Sequence, residues 1–200
     1  MAFVNLLTRE AVIKVAYHGP GLGGKTTNLR VISETLPPDR RGELLTLDTA
    51  TERTLFFDFL LVQLGEIAGF NTRLHLYTVP GQMYYDASRK LILRGVDVLV
   101  FVVDSRASRL TDNEQSQLLL AKDFHEIGID PARVPLVVQF NKRDLMESLP
   151  MDDLQRRFNP DGRAFHEAIA RHGIGVMETL RTAASLGLRE LAGAAGREGA

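Results

Sequence analysis

Apolar positions along this chain fall into two rhythms. Short β-branched or alternating runs predict strands, and longer runs with apolar residues three and four apart predict helices. "AVIKVAYH" (Ala11–His18) predicts a strand. "KTTNLRVISETL" after it predicts a helix that Pro37-Pro38 closes. The polar stretch from Arg40 to Glu52 predicts a loop. "TLFFDFLLVQLGEIAGFNTRLHLYTV" predicts two strands joined by a turn around Gly65–Gly69, a hairpin. "VDVLVFVVD" (Val96–Asp104) is unbroken, as expected of a strand covered on both faces. "NEQSQLLLAKDFHEIG" reads as a helix, "VPLVVQFNKRD" as a second buried strand with a polar end, and "AFHEAIA" as a short strand. "GVMETLRTAASLGLREL" closes the series as an amphipathic helix, and the small, polar "AGAAGREGA" predicts a fraying end. Strand–helix alternation with one hairpin implies an α/β fold, an open and mostly parallel sheet with one antiparallel edge pair. One domain is expected over residues 1–193, with a flexible tail over 194–200.

In such sheets ligands sit at the carboxyl ends of the strands. The first strand runs into "YHGPGLGGKTTNL". Gly19 to Thr26 fits G-x-x-x-x-G-K-[ST], the P-loop. The glycines have a physical reason. A loop that wraps a phosphate must aim its N–H groups inward, and side chains would obstruct the approach. The helix that follows adds unpaired N–H groups and a positive dipole end. Candidate phosphate-site residues are therefore Gly19, Gly21, Leu22, Gly23, Gly24, Lys25, Thr26 and Thr27. Lys25 supplies a point charge, and the Thr26 hydroxyl suits Mg2+.

The hairpin ends in "TVPGQ" (Thr78–Gln82). The Gly81 N–H can approach a terminal phosphate, and Gln82 can orient a water; a Pro-Gly pair is equally an ordinary turn. The strand Val134–Phe140 ends in "NKRD", Asn141 to Asp144. A carboxylate at Asp144 accepts both N1–H and the 2-amino group of guanine, an arrangement adenine lacks. Asn141 would tie the base loop to the P-loop, and the Lys142 stem would lie on the base. A solvated polar loop is the bland alternative.

Composition narrows the field. The chain has 200 residues, a formal net charge of −1 and no cysteine. Zinc–thiolate sites, disulfides and cysteine nucleophiles are thereby excluded. Near-neutral charge offers no basic field for nucleic acid. No apolar run is long enough to insert in a membrane. The expectation is a soluble, cytoplasmic protein, monomeric by itself. Neither His125-Glu126 nor His166-Glu167 completes H-E-x-x-H, so packed or surface histidines are expected. Phe56, Phe57 and Phe59 suit a partner surface or a half-buried strand equally, as Tyr84 and Tyr85 suit a regulator or plain exposure. Arg89, Lys90 and Arg94 are expected to solvate one face of a short helix.

At these motifs the chain resembles the Ras-like small GTPases over nearly its whole length. Within them it is most similar to the MglA-type bacterial gliding-motility and cell-polarity GTPases. "YHGPGLGGKTTNL", "ERTLFFDF", "LYTVPGQMYYDASRKLILRGVD" and "NKRDL" carry that similarity. It implies a three-layer P-loop NTPase (Ras-like) fold, with a mostly parallel six-stranded sheet and one antiparallel edge strand. GTP or GDP and Mg2+ would be the ligands of a switch cycle. Hydrolysis would be slow alone and stimulated by a roadblock-type (MglB-like) GTPase-activating protein at the switches. Polarity or motility effectors would read the switches, and the protein could cluster at a cell pole. The resemblance implies Thr54 as a switch hydroxyl that joins Thr26 at Mg2+, and Arg53 as a built-in arginine finger beside Gln82. A solvated loop arginine is the alternative for Arg53. Two departures stand out. Thr78 replaces the aspartate of D-x-x-G, a threonine that MglA-type proteins share. The base-contacting S-A-K motif becomes Ile169-Ala170-Arg171, which leaves mainly the Ala170 N–H for the guanine oxygen. Guanine-nucleotide-dependent binding with little hydrolysis, and an ATP-dependent P-loop enzyme, remain as alternatives.

Overall fold

The computed structural model describes residues 3–47, 57–81 and 86–198, with side chains through residue 193. Its strands are β1 (Phe3–Asn5), β2 (Glu10–His18), β3 (Leu45–Leu47), β4 (Phe57–Ile67), β5 (Phe70–Thr78), β6 (Val98–Asp104), β7 (Leu136–Asn141) and β8 (Phe165–Glu167). Its helices are α1 (Lys25–Thr35), α2 (Asp86–Leu93), α3 (Leu110–Glu126), α4 (Met151–Phe158) and α5 (Val176–Glu198).

One sheet runs in the order β3-β4-β5-β2-β6-β7-β8. The pairs β2–β5, β2–β6, β6–β7 and β7–β8 are parallel, whereas β3–β4 and β4–β5 are antiparallel. The six longer or expected strands form the anticipated sheet. Two three-residue strands add to it. β3 extends the hairpin edge, and β1 pairs antiparallel with the start of β2.

Core packing explains the layers. In α1 the buried residues Lys25, Asn28, Leu29, Ile32 and Ser33 follow the spacing of one helix face. That face and α5 cover one side of the sheet, against Ile13, Val15, Leu74, Leu76, Val100 and Val102. Residues Ile92 and Leu93 of α2 and Phe124 of α3 cover the other side, with α4 adding Leu154 and Phe158 over Phe101 and Phe140. Every residue of β6 is buried, as its unbroken apolar run requires.

The hairpin turn is tighter than expected. It is Ala68-Gly69, both with positive φ (50° and 83°), the signature of a two-residue primed turn. Gly65 belongs instead to a bulge within β4, where the register shifts between Gln63 and Gly65. The last helix runs to Glu198, past the expected boundary at residue 193, so residues 194–198 are helical backbone.

Candidate functional site

The carboxyl ends of β2, β5, β6 and β7 converge, and the sequence motifs lie there. β2 ends at His18 and α1 begins at Lys25, so residues 19–24 form the connecting loop. Gly24 precedes the helix with φ of 107°, a conformation open to glycine at little cost. A Cβ there would also lie 2.2 Å from Asn141 Nδ2. The Lys25 ammonium is buried and donates to the carbonyls of Gly19 (2.8 Å) and Pro20 (2.7 Å). Burial pushes its pKa down to about 7, with the charge of Asp58 pulling the other way.

Asn141 joins the two halves of the site. Its Nδ2 donates to the Gly23 carbonyl (2.9 Å), and its Oδ1 accepts from the Ala170 N–H (2.9 Å). The tie expected between base loop and P-loop is therefore present. The Ala170 amide expected to meet a guanine oxygen is engaged with Asn141 in this structure. Thr27, Asn141, Lys142, Asp144, Ile169 and Ala170 are among the walls of one cleft of about 180 Å³. Asp144 accepts from Arg171 at 2.5 Å. Lys142 lies alongside, its ammonium donating to the Leu22 carbonyl (2.8 Å) and to Asp104 (2.6 Å). Burial alone would push Asp104 up, but hydrogen bonds from Arg106 and Lys142 outweigh it and hold its pKa below the ordinary value.

The side of the P-loop expected to take Mg2+ carries a carboxylate that no motif supplies. Thr78 is buried, and its hydroxyl donates to Asp58 Oδ2 (2.9 Å) while accepting from the Asp58 N–H (2.8 Å). Thr26 donates to the same carboxylate oxygen (2.6 Å), and Thr46 donates to Oδ1 (2.9 Å). A carboxylate thus stands on the P-loop threonine although position 78 has none. It comes from β4. A hydroxyl and a carboxylate are hard oxygen donors of the kind Mg2+ accepts beside phosphates and water. Thr26 with Asp58 therefore fits such an ion once their mutual hydrogen bond is exchanged. Sequence reading passed over Asp58. The signal was available: Asp58 shares a strand face with the buried Leu60 and Val62, where a carboxylate needs a polar purpose.

Gly81 packs directly on the P-loop. A Cβ there would lie 2.5 Å from Gly21 N and 2.8 Å from the Gly19 carbonyl oxygen. Glycine is the residue that allows this approach. Arg53, Thr54 and Gln82 lie outside the described residues, as do Phe56, Tyr84 and Tyr85.

Two surroundings of the site correct or sharpen the sequence reading. Arg89 does not solvate a helix face. It is fully buried and pairs with Asp123 of α3, Nε to Oδ2 at 2.8 Å, while Nη2 reaches Asp86 at 2.9 Å. Lys90 pairs with Asp86 and Glu126. His18, next to the P-loop, is a core residue stacked on Phe101, 3.3 Å from the Ser116 hydroxyl. Burial, then the charges of Lys25 and Arg89, push its pKa down to about 3, so it is neutral.

A P-loop on the first long strand, with a carboxylate-bearing cleft at the end of β7 tied to it by Asn141, defines a Ras-like small GTPase. No protein-family model matches the chain. It is 48% identical over 191 residues to the mutual gliding-motility protein MglA of Myxococcus xanthus (strain DK1622), covering 96% of this chain and 98% of that protein. The chain belongs to the MglA-type family of small GTPases.

Proposed function

We propose that this protein is a GTP-binding and GTP-hydrolysing molecular switch that controls bacterial cell polarity or gliding motility. The observation that supports the reading is the Asn141 bridge, which ties the P-loop to the cleft that Asp144 lines. Lys25 and the loop amides would hold the polyphosphate, and Asp144 would select guanine by accepting from N1–H and the 2-amino group. GTP and GDP are the proposed ligands. Mg2+ would be held by Thr26 and Asp58, joined by Thr54 in the triphosphate form. The ion would neutralise charge building between the second and third phosphates.

Gln82 is proposed to orient the attacking water, and Arg53 to place positive charge on the transferring group. A partner is proposed to position both, so hydrolysis is slow alone. The proposed activator is a roadblock-type (MglB-like) protein bound at the switches, with motility or polarity effectors reading the GTP form. Gly81 would report the third phosphate, because that phosphate and the present Gly81–Gly21 contact compete for the same side of the loop. The domain is residues 1–193, and the protein is proposed to be cytoplasmic, polar in some states and monomeric alone. Among the described residues no helix is long and apolar enough to cross a membrane.

A second reading is a nucleotide-dependent binding module with little hydrolysis. The engagement of Asp58 by three threonine hydroxyls favours it, since that carboxylate must be released before it can serve a metal. Single-turnover GTP hydrolysis, with and without a roadblock partner, separates the two. The switch reading expects phosphate release accelerated by about 10³-fold or more with partner, lost in Gln82→Ala and Arg53→Ala while GDP binding persists. No acceleration would leave the binding module.

A further inference from the structure

Five successive carbonyls of the P-loop each accept a hydrogen bond from a side chain. Gly19 and Pro20 accept from Lys25, Leu22 from Lys142 and Gly23 from Asn141. Those three donors belong to the two sequence motifs. The fifth carbonyl, Gly21, accepts from Arg109 Nη2 at 2.7 Å. Arg109 belongs to neither motif. It ends a short 3-10 turn, Ala107–Arg109, that leads into α3.

The contact has a specific consequence. Across a trans peptide the C=O and the following N–H point in opposite directions. Holding the Gly21 carbonyl on Arg109 therefore fixes the Leu22 N–H on the opposite side of that peptide, away from Arg109. Leu22 needs such a constraint, because its φ is +62°, a left-handed conformation unfavoured for a residue with a Cβ. Arg109 fixes the peptide before Leu22, and Lys142 fixes the peptide after it. Gly21, with no side chain, would otherwise let that peptide rotate.

Arg109 is itself held in place. Its Nη1 lies 2.6 Å from Asp112 Oδ2, and its Nε lies 3.8 Å from Asp104 Oδ2. Asp104, fully buried at the end of β6, also accepts from Lys142 and twice from the Arg106 guanidinium. One carboxylate thus anchors Lys142 and stands beside Arg109, the two cations that hold the peptides flanking Leu22. Gly81 packs against the same stretch of loop, Gly19 to Gly21. The hold therefore acts on the side of the loop nearest the third phosphate.

We propose that Arg109, anchored by Asp112 and standing beside the Asp104 charge, is a positioning residue that fixes the Gly21–Leu22 peptide and so presents the Leu22 amide to the terminal phosphates. The proposal rests on the guanine-nucleotide reading above and extends it to a residue outside its motifs. The test is the affinity of Arg109→Met for GDP and for a non-hydrolysable GTP analogue, both with Mg2+. The analogue should bind about tenfold more weakly, the scale of one charge-assisted hydrogen bond, and GDP by about threefold at most. Arg109→Lys should recover part of the loss. Asp112→Asn, which alters only a surface anchor, should show the same selectivity at smaller size. Equal losses for the two nucleotides, or none, overturn the proposal. A wild-type protein that binds neither nucleotide would instead overturn the guanine-nucleotide reading itself, and this inference with it.

Discussion

Neutralising Lys25 should change how stability depends on pH. Lys25 is 7% exposed, and among the described residues its ammonium bonds to the neutral Gly19 and Pro20 carbonyls. Burial pushes its pKa from 10.5 to about 7, and the nearby Asp58 charge opposes this only in part. In the unfolded chain the ammonium regains its ordinary pKa near 10.4. From pH 7 to about 10.5 the unfolded chain therefore keeps a proton that the folded protein lacks, and stability rises with pH across that window. Below pH 7 both forms keep the proton and this contribution is flat. The limiting slope is about 1.4 kcal/mol per pH unit, so roughly 1.5 kcal/mol accrues between pH 7 and 8.5.

Urea unfolding of nucleotide-stripped wild type and Lys25→Met isolates this contribution, because other titrating groups are common to both. The stability of wild type relative to Lys25→Met should rise by about 1.5 kcal/mol over that interval and stay level from pH 6 to 6.5. A difference that stays flat from pH 7 to 8.5, or falls, would refute the reasoning. A bound polyphosphate restores the charge. GDP binding at pH 8 should then take up close to one proton, seen as a buffer-dependent enthalpy in calorimetry.

Asp144→Ala should weaken GDP binding by about 10²–10⁴-fold, since two hydrogen bonds to a carboxylate are lost; an unchanged affinity in equilibrium titration would remove Asp144 from base recognition. Arg89→Met strands the buried Asp123 carboxylate and should cost about 3–5 kcal/mol in urea unfolding. The double variant Arg89→Met, Asp123→Leu should regain most of that. A single-variant loss below about 1 kcal/mol would mean that the pair behaves as a surface ion pair and does not pin α2 to α3.

How much of this was legible in the chain depends on how local the cause is. The P-loop and the Asn141–Asp144 motif were readable because their chemistry is written in contiguous residues at fixed spacing. β6 was readable because a strand covered on both faces has no polar alternation, and all seven of its residues are buried. Non-local causes were not readable. β1 and β3 are three residues each and exist through partners in β2 and β4. Arg89 looked like a solvated helix charge because its partner Asp123 lies 34 residues away. Arg109 acts across 88 residues, on Gly21. Asp58 was hidden differently. Between two phenylalanines it reads as the polar side of an edge strand, although its parity with Leu60 and Val62 puts it inside. The substitution at Thr78 is thus intelligible only in three dimensions, where the threonine hydrogen-bonds a carboxylate brought by the neighbouring strand.

The Lys25 loop and the Asp144 cleft, joined by Asn141, are proposed to form one guanine-nucleotide site. The most direct test is displacement of labelled GDP from the purified protein by GDP, GTP, ADP and ATP in the presence of Mg2+. GDP and GTP should displace the label, and the adenine nucleotides should need at least about 10³-fold higher concentration, because the carboxylate of Asp144 finds no paired donors on adenine. ATP displacing the label as readily as GTP, or a protein that retains no GDP at all, would contradict that proposal.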